Sequence, residues 1–308
     1  MTHRAESATA RSPAIEGLAV TVPVVSAMVW WLSGSGAAGP AVARLIADGA
    51  AVCVLGLAIM PYLSGEPLPM VLRGRAWSWL ALVTPIWLMA ETGRLLVMAG
   101  QAAGVAVGRT SPSTWWLYAT ATDAGLANLV AVVAAAGSLT LLVHRQTGGV
   151  VVCLAALGWV SRAWAGHASA TPSGVVIVAV HVMAAGLWCG GLAALALTVR
   201  HRDEWALMLP GYSRMALVSV LVLSASGVIG AALVLPSWSA LWTTGYGRVL
   251  SVKLALTVLL VVIGWRQRRS WLPAVRMTLA ALSHRRAAIE IAVMAVALVS
   301  AAVLAMTG

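Results

Sequence analysis

Long apolar segments separated by short polar loops dominate the hydrophobic pattern of this chain. A helix needs about 20 apolar residues to cross a bilayer, and about nine segments meet this requirement. Small residues on them, as at Gly186, Gly190 and Gly191, allow neighbouring helices to approach closely. The pattern predicts an all-α fold, a polytopic transmembrane helical bundle. The candidate spans are 16–33, 41–63, 77–99, 119–143, 149–165, 174–199, 212–235, 248–266 and 287–306.

Composition supports a membrane protein and argues against several other classes. The chain is 61% hydrophobic and 9% charged, whereas soluble domains carry about 25% charged residues. The sequence contains no Walker loop, nucleophile elbow or HExxH motif. We therefore predict a protein that is not an enzyme, binds no nucleotide and is surrounded by membrane lipid.

The distribution of basic residues predicts the orientation of the bundle. The net charge of +11 arises from short clusters between apolar segments, so no soluble basic face for nucleic acid is expected. With the N-terminus in the cytoplasm, 14 of the 20 Lys and Arg residues lie on the inner side, as the positive-inside rule requires. We predict two regions: residues 1–150 hold about four spans, and residues 151–308 hold about five.

Two histidines are the strongest candidates for chemistry. His181 lies inside the apolar segment 174–199, and His167 lies in the short loop before it. Ionisable groups within a membrane usually mark a substrate or ion site, and imidazole is a common metal ligand. His181 is expected about 10 Å below the outer end of its helix. The two rings could then hold one ion at the extracytoplasmic face, unless His167 is an exposed loop residue and His181 a packing histidine.

Cys189 follows His181 on the same predicted helix. At eight residues further on, it is rotated by about 80° and lies about 12 Å deeper. A thiolate below an imidazole suits a cuprous ion moving inward, although the position of Cys189 in an apolar segment favours a small apolar filler. Trp188 and Trp87 lie in the middle of predicted spans, where we expect both to pack inside the bundle.

Charged residues within the predicted spans collect in the outer half of the bundle, at the level of the histidines. Oppositely charged residues three or four positions apart on a helix can pair, which predicts the pairs Glu91–Arg94 and Arg44–Asp48. Glu91 is expected to be the most buried carboxylate, with a role either in ion passage or in the polarity of the site. Two further candidates for polar support are Asp123, which opens the fourth span, and Lys253, which lies in the eighth.

Several short motifs, taken together, resemble the copper-resistance D (CopD) family of bacterial inner-membrane proteins. The likeness is specific over about residues 166–306 and is only one of general character over residues 1–150. The motifs are Gly166-His167-Ala168, the segment from His181 to Leu192, Tyr212-Ser-Arg-Met-Ala-Leu, Ser226-Gly227, the segment from Tyr246 to Leu256, the Arg266–Pro273 stretch, and Glu290.

The resemblance implies copper passage across the bacterial cytoplasmic membrane. It carries the family's histidine positions over to His167 and His181, makes copper the bound ion, and implies a periplasmic copper-binding partner of the CopC type. The residues alone leave two alternatives open, a haem-binding electron-transfer membrane protein and a non-transporting assembly subunit. The oligomeric state is not predicted.

Overall fold

A computed structural model describes residues 38–146, 148–165 and 172–234, together with positions 251, 258 and 262. Within these ranges the regular elements are all helical, which confirms the predicted all-α class for this part of the chain. Three 3₁₀ turns, at Met60–Tyr62, Val107–Arg109 and Ser161–Ala165, join or extend the α-helices. The α-helices are α1 (Ala38–Ile59), α2 (Met70–Ala102), α3 (Pro112–Ala121), α4 (Asp123–Val143), α5 (Gly149–Val160), α6 (Pro172–Thr198) and α7 (Arg202–Val234).

Five of the described helical segments are long and apolar enough to cross a membrane, and they match the predicted second, third, fourth, sixth and seventh spans. The predicted fifth span, 149–165, forms the shorter apolar helix α5 and a 3₁₀ turn. The predicted first and ninth spans lie outside the described residues, and so does the eighth apart from three isolated positions. The five segments are Ala43–Tyr62, Met70–Ala102, Asp123–Val143, Pro172–Thr198 and Asp203–Ala232.

Two of these helices begin well before the predicted spans. Helix α2 begins at Met70 and α7 at Arg202; both starts include charged residues that a hydropathy window excludes. The guanidinium of Arg75 in α2 donates to both carboxylate oxygens of Glu204 in α7, at 2.9 and 3.0 Å. Glu204 also accepts from two backbone N–H groups that precede α7, at 2.7 and 3.1 Å. Paired charges thus extend the helices beyond their apolar parts.

The predicted fourth span is divided, which corrects its start. The chain is extended at Thr122 (φ −121°, ψ 145°), and the Thr122 hydroxyl caps α4 by accepting from the Gly125 N–H at 2.9 Å. A Cβ on Gly125 would lie 1.9 Å from the Tyr118 carbonyl oxygen, so only glycine allows this close return of the chain. The polar cap ends α3 at Ala121 and begins a new helix at Asp123.

Helix α1 is the centre of the described bundle. It packs against α2, α5 and α6, while α4 packs against α2 and α5, and α7 packs against α6. A Cβ on Gly56 of α1 would lie 1.8 Å from the carbonyl oxygen of Gly190 on α6, and a Cβ on Gly190 would lie 2.4 Å from the Val52 carbonyl oxygen. The two backbones therefore touch, which confirms the expected role of Gly190 in close helix approach.

Apart from the short α3, successive helices run in opposite directions, so the bundle has two distinct ends. The start of α2 meets the end of α6 through Arg75 and Thr198, and Arg162 after α5 meets Asp48 in the first half of α1. We call the end at which α1 begins the upper end and the opposite end the lower end. The ion pair between Arg75 and Glu204 joins the starts of α2 and α7 at the lower end. A second group of ion pairs joins α1, the later part of α2 and the end of α5 in the upper half.

Candidate functional site

A group of five charged side chains, of which Glu91 is fully buried and Arg44 is 31% exposed, lies in the upper half of the bundle. We call it the arginine cluster; its members are Arg44 and Asp48 of α1, Glu91 and Arg94 of α2, and Arg162, which follows α5. The two predicted pairs are confirmed, with N–O separations of 3.6 Å for both Arg44–Asp48 and Arg94–Glu91. Arg162 adds direct ion pairs to both carboxylates. The cluster thereby connects three segments of the fold.

Glu91 is the most enclosed member of the cluster. Its side chain is 0% exposed, as expected from the sequence. The Trp87 indole donates to Oε1 at 3.2 Å, and the Asn128 amide donates to Oε2 at 2.9 Å. These donors, with the two arginines, stabilise a carboxylate at membrane depth, where an unpaired one would be costly. This geometry suits polar support of the site, and a role in ion passage stays a prediction.

The sequence analysis did not single out Arg162 and only counted it among the basic residues on the outer side. The guanidinium lies over the Trp159 ring, with Cζ 5.4 Å from the ring centroid, a cation–π contact. The Trp159 indole in turn donates to the backbone carbonyl of Val182 at 2.7 Å. The cluster is therefore connected to α6 one residue beyond His181. The available signal was an arginine three positions after a tryptophan, at the end of a short apolar segment.

His181 is half-buried on α6 and is held by a serine of α7. Its Nδ1 lies 3.0 Å from the Ser226 hydroxyl. That hydroxyl lies 2.7 Å from the Val222 carbonyl oxygen, to which it donates its single hydrogen. The Ser226 oxygen is thus left to accept from Nδ1–H of the imidazole. This assignment leaves Nε2 as the ring nitrogen with the lone pair, the form in which histidine binds a metal.

The structure brings together two motifs that the sequence presented separately. A Cβ on Gly227 would lie 3.6 Å from Cε1 of His181, so the ring lies against α7 at the Ser226-Gly227 pair. His181 is nine residues after the start of α6 at Pro172, about 14 Å along the helix. His167 and Lys253 lie outside the described residues. The convergence of the two histidines, and the role of Lys253, therefore stay predictions.

The other predicted site residues occupy separate places. Cys189 is half-buried on α6; eight residues on one continuous helix separate it from His181 by about 12 Å, too far to share one ion. Trp188 is 7% exposed and Trp87 is 0% exposed, which confirms that both pack inside the bundle. Asp123 is exposed at the start of α4. Among the described residues, no three His, Cys, Asp or Glu side chains form a metal-ligand group.

Two family models match the chain. Residues 35–176 match the model described as "Copper resistance protein D-like, N-terminal domain", and residues 206–304 match "Copper resistance protein D". The chain belongs to the CopD family. The resemblance expected from the motifs is confirmed, and the family likeness also covers most of the first half, where the sequence analysis found only a general one.

One relative of the CopD-family chain is the copper transport protein CutJ of Bacillus subtilis (strain 168). The two sequences are 32% identical over 114 residues, which is 34% of this chain and 21% of the relative. The chain thus matches about one fifth of the length of that curated relative. No solved structure matches the chain.

Proposed function

We propose that this CopD-family protein binds a copper ion at its extracytoplasmic side and passes it across the bacterial cytoplasmic membrane. The family and the name of the CutJ relative support copper as the cargo. The observation that carries the proposal is His181, an imidazole within a membrane-length helix whose ring is oriented by Ser226. A membrane histidine held in its metal-binding tautomer is the feature that such a role requires.

The proposed topology has about nine spans and a cytoplasmic N-terminus, with the lower end of the bundle facing the cytoplasm. Arg73, Arg145 and Arg200 are exposed at the lower end. At the upper end three arginines are paired within the arginine cluster. Arg109 is the remaining basic residue there within the described ranges. Outside the arginine cluster, the described basic residues are more numerous at the lower end than at the upper end, which supports this orientation.

In this proposal the ion enters at the upper end. His167 and His181 capture it there, after delivery by a periplasmic copper-binding partner of the CopC type. Imidazole nitrogen suits copper, and a deeper thiol suits its cuprous form, so Cys189 is the candidate for the next position inward. The Glu91 network, Trp188, Asp123 and Lys253 provide polar support around the path.

Copper binding by purified protein tests the proposal. His181→Ala should lose the copper ion that the unsubstituted chain binds in detergent, because it removes the oriented imidazole. His201→Ala is the matched control, since His201 is exposed at the lower end and its loss should leave copper stoichiometry unchanged. An unchanged stoichiometry and affinity in His181→Ala would remove the ligand assignment. A Soret band in the same sample would favour the haem-binding alternative.

A further inference from the structure

The arginine cluster contains more cations than anions. Three guanidinium groups, those of Arg44, Arg94 and Arg162, face the carboxylates of Asp48 and Glu91. Arginine stays protonated in proteins, and protonating either carboxylate would only increase the imbalance. The cluster therefore has a formal excess of one positive charge. At membrane depth an uncompensated charge is strongly unfavourable.

Hydrogen bonding within the cluster is incomplete among the described residues. Nε of Arg162 is buried and has no hydrogen-bond partner, while Nε of Arg44 and Nη1 of Arg94 lie 3.6 Å from their carboxylates, which is longer than a hydrogen bond. Arg162 forms ion pairs with both carboxylates, and Arg44 and Arg94 each pair with one of them, so the three guanidinium groups lie together. The excess charge thus coincides with N–H groups that need an acceptor.

No other carboxylate among the described residues is paired with the cluster. The described acidic residues outside it are Asp123, Glu66, Asp203 and Glu204. Asp123 is at the upper end but is exposed at the start of α4. The other three lie at the lower end, just before α2 or at the start of α7.

We propose that the arginine cluster binds a small monovalent anion of the chloride class. The anion accepts hydrogen bonds from the guanidinium N–H groups, and its single charge balances the excess. Hydrogen bonds from guanidinium groups to an anion are among the stronger ones in proteins. The site is distinct from the histidine and cysteine positions assigned to copper, and it does not depend on the identity of the cargo.

The enclosure of the cluster favours a small ion over a lipid headgroup. A headgroup phosphate offers the same acceptor chemistry but remains attached to a lipid, and so needs an opening to the bilayer surface. Glu91 is 0% exposed and Arg162 is 7% exposed. Arg44, at 31%, is the most exposed arginine of the three and marks the side from which a small ion can enter.

Thermal unfolding of the full chain in neutral detergent tests the anion site, with chloride exchanged for gluconate at constant ionic strength. The unfolding midpoint of the unsubstituted chain should rise with the logarithm of the chloride concentration once this exceeds the dissociation constant, by about 3–6 °C at a tenfold excess. Arg94→Gln makes the cluster neutral and removes a donor. Its midpoint should therefore be independent of chloride and should equal or exceed that of the unsubstituted chain in gluconate.

Arg109→Gln is the matched control, because Arg109 is exposed at the same end; it should keep the full chloride response. If Arg94→Gln does not fold, Arg44→Gln carries the same expectation. A chloride-independent midpoint in the unsubstituted chain, or a full response in both variants, would overturn the proposal. Stabilisation by phosphatidylglycerol but not by chloride would also overturn it, because the bound group would then be a lipid headgroup. These unfolding measurements use copper-free protein, so their outcome is independent of the copper-binding test of the proposed function.

Discussion

Replacing Arg162 by methionine removes the one side chain, within the described ranges, that forms ion pairs with carboxylates of both α1 and α2. Loss of one partner from a buried ion pair typically costs about 3–5 kcal/mol, because the other charge stays buried. Asp48 and Glu91 each keep an arginine at 3.6 Å. Because these arginines still compensate the two carboxylates, we expect the loss of unfolding free energy to be at the lower limit of that range, about 3 kcal/mol.

The loss can be measured as a change in the thermal unfolding midpoint in detergent, followed by tryptophan fluorescence. About 1 kcal/mol corresponds to about 2–4 °C in a domain of 150–250 residues, so Arg162→Met should unfold about 6–12 °C below the unsubstituted chain. Arg109→Met is the control, since Arg109 is exposed in a 3₁₀ turn. Its midpoint should change by no more than about 2 °C, which is typical of surface substitutions.

A second substitution tests the cause of the loss. If the contact between Arg162 and Glu91 is responsible, Arg162→Met and Glu91→Gln should each lower the midpoint, and the double variant should lose less than the sum of the two single losses. The double-mutant cycle should give a coupling energy of about 1–3 kcal/mol. Purely additive effects, or an Arg162→Met midpoint equal to that of the unsubstituted chain, would refute the assignment of Arg162 as the central cation.

Two further outcomes follow from the contacts of α6. Ser226→Ala removes the acceptor that orients His181 and should weaken copper binding about 10- to 100-fold, as losses of outer-shell partners typically do. Ser138→Ala is its control, because Ser138 is a buried helical serine whose hydroxyl donates to its own helix backbone; equal affinities in the two variants would contradict the orienting role. Gly190→Ala places a Cβ 2.4 Å from a backbone carbonyl oxygen of α1 and should lower the unfolding free energy by about 3 kcal/mol. Gly74→Ala, at a helical glycine with nothing within 4 Å, should be neutral or slightly stabilising, and a similar response of both glycines would contradict the backbone contact.

Hydropathy predicted the membrane-length helices well because a bilayer imposes its thickness on any apolar helix. It failed where polar groups decide the boundary. Thr122 divides the predicted fourth span by capping a new helix, a local hydrogen bond that an average over 20 residues conceals. Arg75 and Glu204 extend two helices because they pair across the fold, and a sequence shows neither partner's position.

In the candidate site, too, contacts within one helix were predictable from the sequence, whereas contacts between helices were not. Glu91–Arg94 and Arg44–Asp48 were predictable because each pair lies within one helical turn. Arg162 is separated from Glu91 by 71 positions, and His181 from Ser226 by 45. Such contacts depend on which helix faces meet, and helical spacing alone does not determine that. His181 itself was found because a histidine in an apolar segment is rare and costly.

The touching backbones of α1 and α6 have a mechanical consequence. Glycines in direct contact leave no side-chain layer that can be rearranged between the helices, so we expect α1 and α6 to move together. The adjoining contact of α6 with α7 includes the hydrogen bond from the His181 ring to Ser226, which can break and re-form. A tilt of α7 would change the orientation of the His181 ring. We therefore expect metal binding at this imidazole and the tilt of α7 to be thermodynamically linked.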